Sequence, residues 1–555
     1  MLMMADFECI TTAPTRVWGW YMCEIGNLKH NYKGTDIKSF LETIIKIKPE
    51  KCYFHNLRYD GSFILDYLLK HKCKVSNDRK LNINDLKPLI SVDGSWYSID
   101  WVTGYDKKAR HYTVTKFVDS LKLLNMSVRK IAKSFELPFS KGDCDYFKER
   151  PIGYEPTDEE WDYIKRDVEI VALALEEMFA NNCDSLTIGS CALKNFTENI
   201  GIDKFAQYFP QLPPEEDSFI RKAYKGGFTW LNPIYENKEV KSGVVYDCNS
   251  MHPSAMHDKP MPVGRPHLFF GEPPKKKLWV AQYHVDSCEL KDKHIPCIQI
   301  KNNWRYIETE YLKEIHDDDI YITNIDYELI KENYEIEGEF VFGYSFESKV
   351  GIFSDYIDSW MKVKATTTGG KRQIAKLMLN TLYGKFGTRP ERVSKEPIID
   401  GNRVRLVTGP KEMCKSVYIP VACFVTAYSR DNIIRNALKE YDRFIYCDTD
   451  SLHLEGTEIP KGIDIHPTRL GAYKLENTFT KAKFIRAKTY IEVINGENQV
   501  KCCGLSNESR ANIDYDEFRI GYTNETGKKK PKLVEGGTIL VDESFQIKPQ
   551  KNSKK

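Results

Sequence analysis

Hydrophobic and polar positions alternate between strand-like and helix-like spacing through the first third of the chain, which predicts a compact α/β unit. Near its start, an apolar run leads into Asp6-Phe7-Glu8. A strand there would place the two carboxylates on one face and Phe7 in the core. Near its end, a capping box from Thr157 to Glu160 is followed by a long apolar-periodic stretch, which predicts a helix.

Apolar residues 444–446 and 452–454 flank Asp448-Thr449-Asp450, a pattern that predicts strand, tight turn and strand. Two carboxylates one residue apart in an extended chain point the same way. They repel one another unless a cation lies between them, so the turn is a candidate metal site. The alternative is an ordinary solvated Asp-Thr-Asp turn.

Residues 376–384 have a helical pattern with one polar stripe, because Lys376, Asn380 and Tyr383 are spaced at i, i+4 and i+7. Arg372 extends the stripe by one turn, and Lys364 lies two turns further back. Three cations on one face are ordinary on a solvated helix. They are also what binds a triphosphate while a tyrosine packs on the base.

A second turn signal, Asp400-Gly401, lies between β-forming residues and predicts an exposed hairpin. At 555 residues the chain is too long for one core, so two or more domains are expected. Hydrophobic content of 41% and aromatic content of 12% are typical of a soluble globular protein.

The composition excludes some classes of protein. No apolar run approaches the length of a membrane span, and the first residues have no signal-peptide pattern. The 15 cysteines are an odd number without a C-x-x-C pair, which favours reduced thiols in a cytosolic setting. The net charge of +2 does not indicate nucleic-acid binding, but clustered metal-binding carboxylates would cancel a basic groove in the sum.

A first set of carboxylates has an ordered spacing, D-x-E, then N-x-x-x-D, then Y-x-x-x-D. Its members are Asp6, Glu8, Asp60 and Asp167, with Tyr163 one helical turn before the last. Each alone is more often a surface carboxylate. Together they are what a two-metal phosphodiesterase needs, with Tyr163 able to orient the attacking water.

A second set follows in the remaining two thirds of the chain. Asp247 ends a β-run and could complete another two-metal site with Asp448 and Asp450. The segment 224–227, with Tyr224, Gly226 and Gly227, has small residues that allow close approach to a phosphodiester strand.

With these residues in order, the chain resembles the protein-primed family B DNA polymerases of the bacteriophage phi-29 type. The resemblance runs from Asp6 through residues 228–232 to residues 536–542 and covers nearly the whole chain. It implies an α+β fold, with an RNase H-like 3′–5′ exonuclease domain followed by a right-hand polymerase that carries two insertions. The implied divisions are exonuclease 1–187, first palm part 188–258, terminal-protein insertion 259–351, fingers 352–387, strand-displacement hairpin 388–419, second palm part 420–504, and thumb with basic tail 505–555.

The resemblance also implies roles for single residues of the exonuclease. Asp6, Glu8, Asp60 and Asp167 would be its metal-binding and catalytic carboxylates, Tyr163 its water-orienting tyrosine and Lys141 its auxiliary lysine. Asp143 beside Lys141 is a further candidate metal ligand. The ligands of the frayed single strand would be His55, Asn56, Phe63, Ser120 and Leu121.

For the polymerase, the resemblance implies that Asp247 and Asp450 hold the metals, with the Cys248 carbonyl assisting and Asp448 in support. Nucleotide ligands would be His252, Lys364, Arg372, Lys376, Asn380 and Tyr383. Tyr224, Gly226 and Gly227 would coordinate synthesis with editing. Lys488 would reach the primer phosphate, and Tyr490 would help to steady the primer terminus.

The implied cofactors are two Mg²⁺ ions per active site, which Mn²⁺ could replace. The implied partners are primer–template DNA, dNTPs, a terminal priming protein and a single-strand binding protein. The chain is expected to act as a monomer in the cytoplasm of a bacterial host and to be a viral protein.

Two positions depart from the family pattern. His252 stands where the family has a tyrosine that blocks a ribose 2′-OH, which puts exclusion of ribonucleotides in doubt. Cys9 stands where the family favours a threonine after D-x-E, and a thiol binds the single strand less well.

Three alternatives remain at this point. One is an editing nuclease with an inactive polymerase half, and another is a replication protein that binds DNA without catalysis. The third is the same enzyme from a linear plasmid or a eukaryotic virus, although the length favours the phage type.

Overall fold

The computed structural model describes residues 1–78, 80, 82–146, 148–299 and 311–549, without the side chains of residues 507 and 508. The lysines predicted to form a basic tail at 551–555 lie outside the described residues. No helix in the described part of the chain is long and apolar enough to cross a membrane. The α+β architecture predicted from the sequence is confirmed.

The amino-terminal part is built on one mixed sheet of order β3-β2-β1-β4-β8-β7-β6-β5. Its elements are β1 (Leu2–Cys9), β2 (Val17–Glu24), β3 (Asn27–Gly34), α1 (Ile37–Ile47), β4 (Lys51–Phe54), α2 (Leu57–Lys70), β5 (Lys74–Val75), β6 (Asp85–Ile90), β7 (Trp96–Asp106), β8 (His111–Asp119), α3 (Val128–Ser134) and α4 (Asp158–Ala180). We refer to it as the editing unit, after the exonuclease that the resemblance implies for residues 1–187.

The predicted pattern at the start of the chain is confirmed. Phe7 is buried between β1 and the helices, with its ring centroid 4.8 Å from that of Phe40. Strand β1 pairs in parallel with β4, so residues that follow these strands lie at one edge of the sheet. The capping box at Thr157 and Glu160 is also confirmed, and it begins α4, which packs on β1 and β2.

The middle of the chain contains α5 (Ile188–Ile200), α6 (Ile202–Tyr208), α7 (Pro214–Lys222), β9 (Thr229–Leu231), β10 (Glu239–Val240), β11 (Gly243–Cys248), α8 (Met251–Asp258), β12 (Met261–Phe270), β13 (Leu278–Leu290), β14 (Ile298–Gln299), β15 (Tyr311–Leu312), β16 (Glu314–Thr323), α9 (Asn324–Asn333) and β17 (Tyr334–Lys349). Strands β12, β17, β13 and β16 form a four-stranded antiparallel sheet within the predicted first insertion.

The remaining elements are α10 (Ser354–Thr366), α11 (Gly369–Phe386), β18 (Glu391–Asp400), β19 (Arg403–Met413), α12 (Ile419–Lys439), β20 (Phe444–Asp448), β21 (Ser451–Glu455), β22 (Tyr473–Phe479), β23 (Lys481–Arg486), β24 (Thr489–Ile494), β25 (Glu497–Cys502), α13 (Asn507–Ala511), β26 (Thr523–Val534) and β27 (Gly537–Gln546). The predicted strand, turn and strand at Asp448–Asp450 is confirmed as β20 and β21. They belong to a five-stranded sheet of order β22-β11-β21-β20-β9.

The single polar stripe predicted from Lys364 to Tyr383 is wrong in one respect. Lys364 lies on α10, and the chain leaves the helix at Thr367 before α11 begins at Gly369. The β-branched threonines and the glycines of this junction are poor helix formers, which accounts for the break. Arg372, Lys376 and Tyr383 do share α11.

The predicted hairpin around Asp400-Gly401 is confirmed as β18 and β19, but it is not exposed along its whole length. Val404 is buried in the hydrophobic core of the editing unit. Near the base, the Val92 N–H donates to the Val393 carbonyl at 3.0 Å, and Asn77 donates to Glu396 at 2.8 Å. Tertiary docking that no local pattern encodes therefore buries part of this hairpin, which we call the arm.

The β26–β27 hairpin also contacts the editing unit. The Thr15 N–H donates to the Glu535 carbonyl at 2.9 Å, and the turn at Gly536 and Gly537 packs against Thr15 and the Phe63 ring. Because β19 contacts β26, the arm and this hairpin also meet each other.

Candidate active sites

The first carboxylate set comes together at the edge of the editing sheet. Asp6 and Glu8 extend from β1, Asp60 lies in the first turn of α2, and Asp167 lies midway along α4. The Phe7 N–H donates to Asp60 Oδ1 at 3.3 Å, which ties α2 to β1. Three elements far apart in sequence thus place these side chains together.

The electrostatics of this cluster show an excess of buried negative charge. Burial, and then the neighbouring Asp167, raise the pKa of Asp6 to about 7. Burial, with Asp6 as the next cause, raises the pKa of Glu8 and of Asp60 well above their ordinary values. Because burial disfavours the ionised form and like charges add to that cost, the cluster favours a cation.

Lys141 and Tyr163 lie beside Asp167, as the sequence predicts for a single site. The Lys141 ammonium forms a short ion pair with the Asp167 carboxylate and lies 5.2 Å from the Tyr163 ring centroid. The Tyr163 hydroxyl is 2.8 Å from the hydroxyl of Tyr146, a residue that the sequence analysis did not single out. Burial, followed by Glu8, raises the pKa of Tyr163, so this hydroxyl is protonated.

Four of the five predicted single-strand ligands line the loops beside this cluster. The His55 ring is 3.0 Å from Ser120 Oγ and 2.8 Å from the Met126 carbonyl, and burial lowers its pKa to about 4. Asn56 is exposed and has a left-handed backbone, and its N–H donates to Asp119. The Leu121 N–H donates to the same carboxylate at 3.1 Å.

Two of the predicted site residues of the editing unit require correction. Phe63 is 2% exposed, and its ring packs beneath Gly537, so it belongs to the core and is not available to stack on a base. The Asp143 side chain is 95% exposed and pairs with Arg129 at 3.1 Å rather than with the buried carboxylates. It therefore gives no support to a role as a metal ligand.

The second carboxylate set lies at the ends of β11 and β21. These strands are antiparallel neighbours, and the Cys248 N–H donates to the Asp450 carbonyl at 2.8 Å. Burial, followed by the neighbouring Asp247, raises the pKa of Asp450 to about 6. Asp247 and Asp450 therefore form one acidic site, as predicted.

Asp448 and Asp450 are not joined by extended chain, contrary to the expectation from the sequence. Thr449 has a φ of 61°, so the chain turns between them. Asp448 accepts hydrogen bonds from Thr229 Oγ1 at 2.9 Å and from the Lys488 ammonium at 2.8 Å. Lys488, predicted to reach the primer phosphate, is thus paired with Asp448 in this structure.

Lys474 is a cation of this site that the sequence analysis missed. It lies opposite Asp247 on β22, and its ammonium is 3.3 Å from Asp247 Oδ1. Its charge also contributes to the lowered pKa values of Lys364 and Lys376, for which burial is the largest cause. No local pattern signals it, because the pairing of β11 with β22 joins residues far apart in the sequence.

The predicted nucleotide ligands lie on α8, α10 and α11 around Asp247. The Lys364 ammonium donates to Ser250 Oγ at 3.0 Å, and Arg372 donates to the Lys364 carbonyl at 2.8 Å. The His252 and Tyr383 rings are stacked, with centroids 4.1 Å apart and planes within 14°. Asn380 is exposed on the same helix as Tyr383.

The segment 224–227 contacts the turn at Asp448–Asp450. A Cβ on Gly227 would lie 2.7 Å from Thr449 Oγ1, so only glycine fits there. Arg430, another residue without a sequence signal, donates to the carbonyls of Lys225 and Gly226 at 3.1 Å.

A Cβ on Gly387 after α11 would approach the Tyr224 hydroxyl to 2.7 Å, so Tyr224 packs against the end of that helix. Tyr490 stacks on Phe484 below the turn, with centroids 5.1 Å apart.

The donor sets of both sites fit Mg²⁺, which prefers carboxylate, carbonyl and water oxygens. Asp167 Oδ1 is buried without a hydrogen-bond partner among the described residues, as expected of an oxygen that faces a cation. Within the described ranges no three acidic, histidine or cysteine side chains are already arranged around one point. Substrate oxygens and water would therefore complete each coordination shell.

Comparison with known proteins gives a consistent result. A family model described as DNA polymerase type B, organellar and viral, matches residues 41–152 and 146–466. The DNA polymerase of Bacillus phage M2 is 42% identical over 98% of this chain and 99% of that protein. The DNA polymerase of Bacillus phage phi29 is 39% identical, with 98% of each chain covered.

A solved structure is similar to this chain over nearly its whole length. The phi29 DNA polymerase in complex with primer–template DNA and incoming nucleotide matches with a TM-score of 0.93 at 38% identity. The match covers 99% of this chain and all of the other.

Proposed function

The chain belongs to the organellar and viral type B DNA polymerases, and we propose that it extends DNA at Asp247 and Asp450 and edits it at Asp6, Glu8, Asp60 and Asp167. The observation that carries the proposal is the separation of two acidic clusters. In each, burial and carboxylate neighbours raise the pKa of a member, to about 7 at Asp6 and about 6 at Asp450.

In the polymerase site, the primer hydroxyl attacks the α-phosphate of the dNTP in line, and pyrophosphate leaves. Lys364, Arg372 and Lys376 bind the triphosphate, which balances the charge that develops on it. Tyr383, stacked on His252, packs against the nascent base pair, and Asn380 lies beside it. Asp448 holds Lys488 close to the primer end.

In the editing site, a water attacks the last phosphodiester, and the 3′ oxygen leaves. Tyr163, held by Tyr146, orients that water, and Lys141 offsets the charge of Asp167. Asn56 and Leu121, placed by Asp119, bind the frayed strand, and Ser120 holds His55.

Two Mg²⁺ ions per site, or Mn²⁺ in their place, would lower the pKa of the attacking group and stabilise the leaving oxygen. Asp247, Asp450 and the Cys248 carbonyl would hold them in the polymerase site. Asp6, Glu8, Asp60 and Asp167 would hold them in the editing site.

We also propose that the hydroxyl that starts synthesis comes from a terminal protein bound at residues 259–351. A row of acidic residues on the insertion sheet supports a basic partner there. Glu289 lies opposite Glu314 on one side and Glu335 on the other, and Lys291, 3.6 Å from Glu335, offsets the charge of that residue. Like charges directly opposite destabilise a sheet, so a cationic surface would relieve the repulsion.

The proposed partners also include primer–template DNA, dNTPs and a single-strand binding protein, with the enzyme a monomer in the cytoplasm of the host cell.

The divisions proposed from the sequence are retained, because the editing sheet, the insertion sheet and the arm each lie within one of them. The alternative of a nuclease with an inactive polymerase half is not favoured, since Asp247, Asp450 and Lys376 are all present.

One gel tests both proposed activities. A primer–template with a labelled 5′ end is incubated with the protein and Mg²⁺, either with all four dNTPs or with none. We expect extension with dNTPs, 3′ shortening without them, and neither in excess EDTA. Absence of shortening without dNTPs would contradict the editing site.

Protein priming has a separate test. The protein is incubated with labelled dNTPs, duplex genome ends and a candidate terminal protein from the same phage. Transfer of label to that protein supports priming, and we expect Glu289→Lys to weaken it while leaving primer extension unchanged. Label transfer unaffected by Glu289→Lys would remove the acidic row from the proposal.

A further inference from the structure

The first turn of α11 is held by side chains from the editing unit. The helix has no side-chain cap of its own at Thr368 and no acidic residue in its first turn. Instead, Thr368 Oγ1 donates to Glu136 Oε2 at 3.1 Å, and the Glu177 carboxylate lies against Gly370. Burial raises the pKa of Glu177, and the nearby Lys371 charge and backbone N–H work against that rise. Two carboxylates from α4 and the end of α3 thus take the place of a cap and of an acidic first turn.

Two glycines make this approach possible. A Cβ on Gly370 would lie 1.9 Å from Glu177 Oε2, and one on Gly369 would lie 3.1 Å from Glu136 Oε2. Glycine is a poor helix former, and alanine would normally be favoured in a first turn. The close Glu177 carboxylate therefore explains why residue 370 is a glycine.

The first turn of α11 lies directly before the proposed nucleotide ligands of this helix. Arg372 follows Gly370 by two residues, and its guanidinium also donates to the Lys364 carbonyl at the end of α10. Further along α11, Met378 Sδ is 3.8 Å from Cys183 Sγ, just beyond the end of α4. The cation-bearing helix is thus fixed between α10 and the editing unit.

We propose that Glu177, assisted by Glu136, is a positioning residue for nucleotide binding. Its carboxylate caps the fingers helix and so fixes Arg372 and Lys376 toward the triphosphate. The inference rests on the proposed role of these two cations. Because Tyr163 and Asp167 lie on the same helix as Glu177, α4 serves editing at its middle and polymerisation at its end.

The main test is the dNTP KM of Glu177→Gln, which keeps the shape of the side chain but removes its charge. Loss of a charged cap predicts a rise of about threefold to tenfold in KM, with kcat changed by less than about twofold. Shortening of single-stranded DNA without dNTPs should be unchanged. The matched control is Glu176→Gln, one residue earlier and exposed, which should leave KM unchanged.

A second pair of variants approaches the same contact from the other side. Gly370→Ala should raise KM at least as much as Glu177→Gln, because the new Cβ displaces the carboxylate. In a Glu177→Ala background the same change should have no further effect on KM and should raise the melting temperature, since alanine favours the helix.

Arg372→Ala separates failure of the inference from failure of the proposed function. If Arg372→Ala leaves the dNTP KM unchanged, the proposed nucleotide site is wrong. If Arg372→Ala raises KM but Glu177→Gln does not, the positioning role is overturned. Equal loss of extension and shortening in Glu177→Gln would also overturn it, because it would indicate a general disturbance of α4.

Discussion

At the level of single residues, the stacked rings of His252 and Tyr383 lie in the proposed polymerase site. Burial lowers the pKa of His252 to about 4, so the ring is neutral at the pH of the cell. Its Nε2 is buried without a hydrogen-bond partner among the described residues. A neutral imidazole is smaller than a phenol and can hydrogen-bond a ribose 2′-OH.

We therefore expect His252→Tyr to improve discrimination against rNTPs. Filling the space should raise the ratio of dNTP to rNTP incorporation about tenfold, the usual effect of a small steric change in a pocket. The ratio is measured by single-nucleotide insertion with each substrate. His252→Phe, which lacks the polar group, is the control. Equal ratios for wild type and His252→Tyr would contradict this role.

Lys474 leads to a second prediction for a single residue, because its ammonium forms an ion pair with the Asp247 carboxylate that would hold metal. Lys474→Met should tighten binding of Mn²⁺ in the absence of nucleotide by up to about fivefold, the effect of a partly exposed ion pair. Spin-resonance titration in an Asp6→Ala background reports the polymerase site. Lys481→Met, which removes a similar pair with Glu239, is the control. Unchanged or weaker Mn²⁺ binding would be inconsistent with competition.

Periodicity and capping in the sequence predict those helices and strands that depend mainly on neighbouring residues. The strand at Asp6, the helix after Thr157 and the turn at Asp448–Asp450 were all predictable from periodicity and capping. The break between α10 and α11 also has a local signal, the threonines and glycines at 366–370. Burial of Val404 and Phe63 was not predictable, because it depends on docking between distant segments.

Gly537 tests the docking of the β26–β27 hairpin. Its φ is 153°, and a Cβ there would lie 2.5 Å from the Phe63 ring. Gly537→Ala should therefore release the turn, destabilise the protein by about 1–3 kcal/mol and shorten the products made per binding event. Melting and single-turnover extension on a long primed template measure the two effects.

Gly521→Ala is the matched control for Gly537→Ala. Gly521 also has a positive φ, 87°, but no atom lies within 4 Å of its would-be Cβ. Gly521→Ala should lower the stability through backbone strain at the positive φ, but it should not shorten the products. If both variants shorten the products equally, the contact with Phe63 does not matter for processivity.

At the scale of the whole molecule, the editing unit anchors both the arm and the β26–β27 hairpin, and these two contact one another. Three segments far apart in sequence thereby form a continuous path of contacts. Such closure around DNA would keep the enzyme on its template and hold the downstream strands apart. The carboxylate sets were predictable from ordered spacing, whereas the contacts that join these three segments required the tertiary structure.

Shortening the arm tests that idea. Joining Glu396 to Val407 through an Asn-Gly turn removes the outer half of the hairpin and keeps its register. Copying of single-stranded template should be nearly unchanged. Extension through a downstream duplex should fall about tenfold, the equivalent of one lost base step of stabilisation. Equal loss on both templates would indicate damage to the fold rather than to strand displacement.

The proposed function requires two independent two-metal sites in one chain, and comparison of Asp450→Asn with Asp6→Asn measures this independence. Each variant is assayed for extension with dNTPs and for 3′ shortening without them, on the same labelled primer–template. We expect Asp450→Asn to abolish extension and retain shortening, and Asp6→Asn to do the reverse. Extension by Asp450→Asn at the wild-type rate, or loss of both activities in either variant, would contradict this expectation.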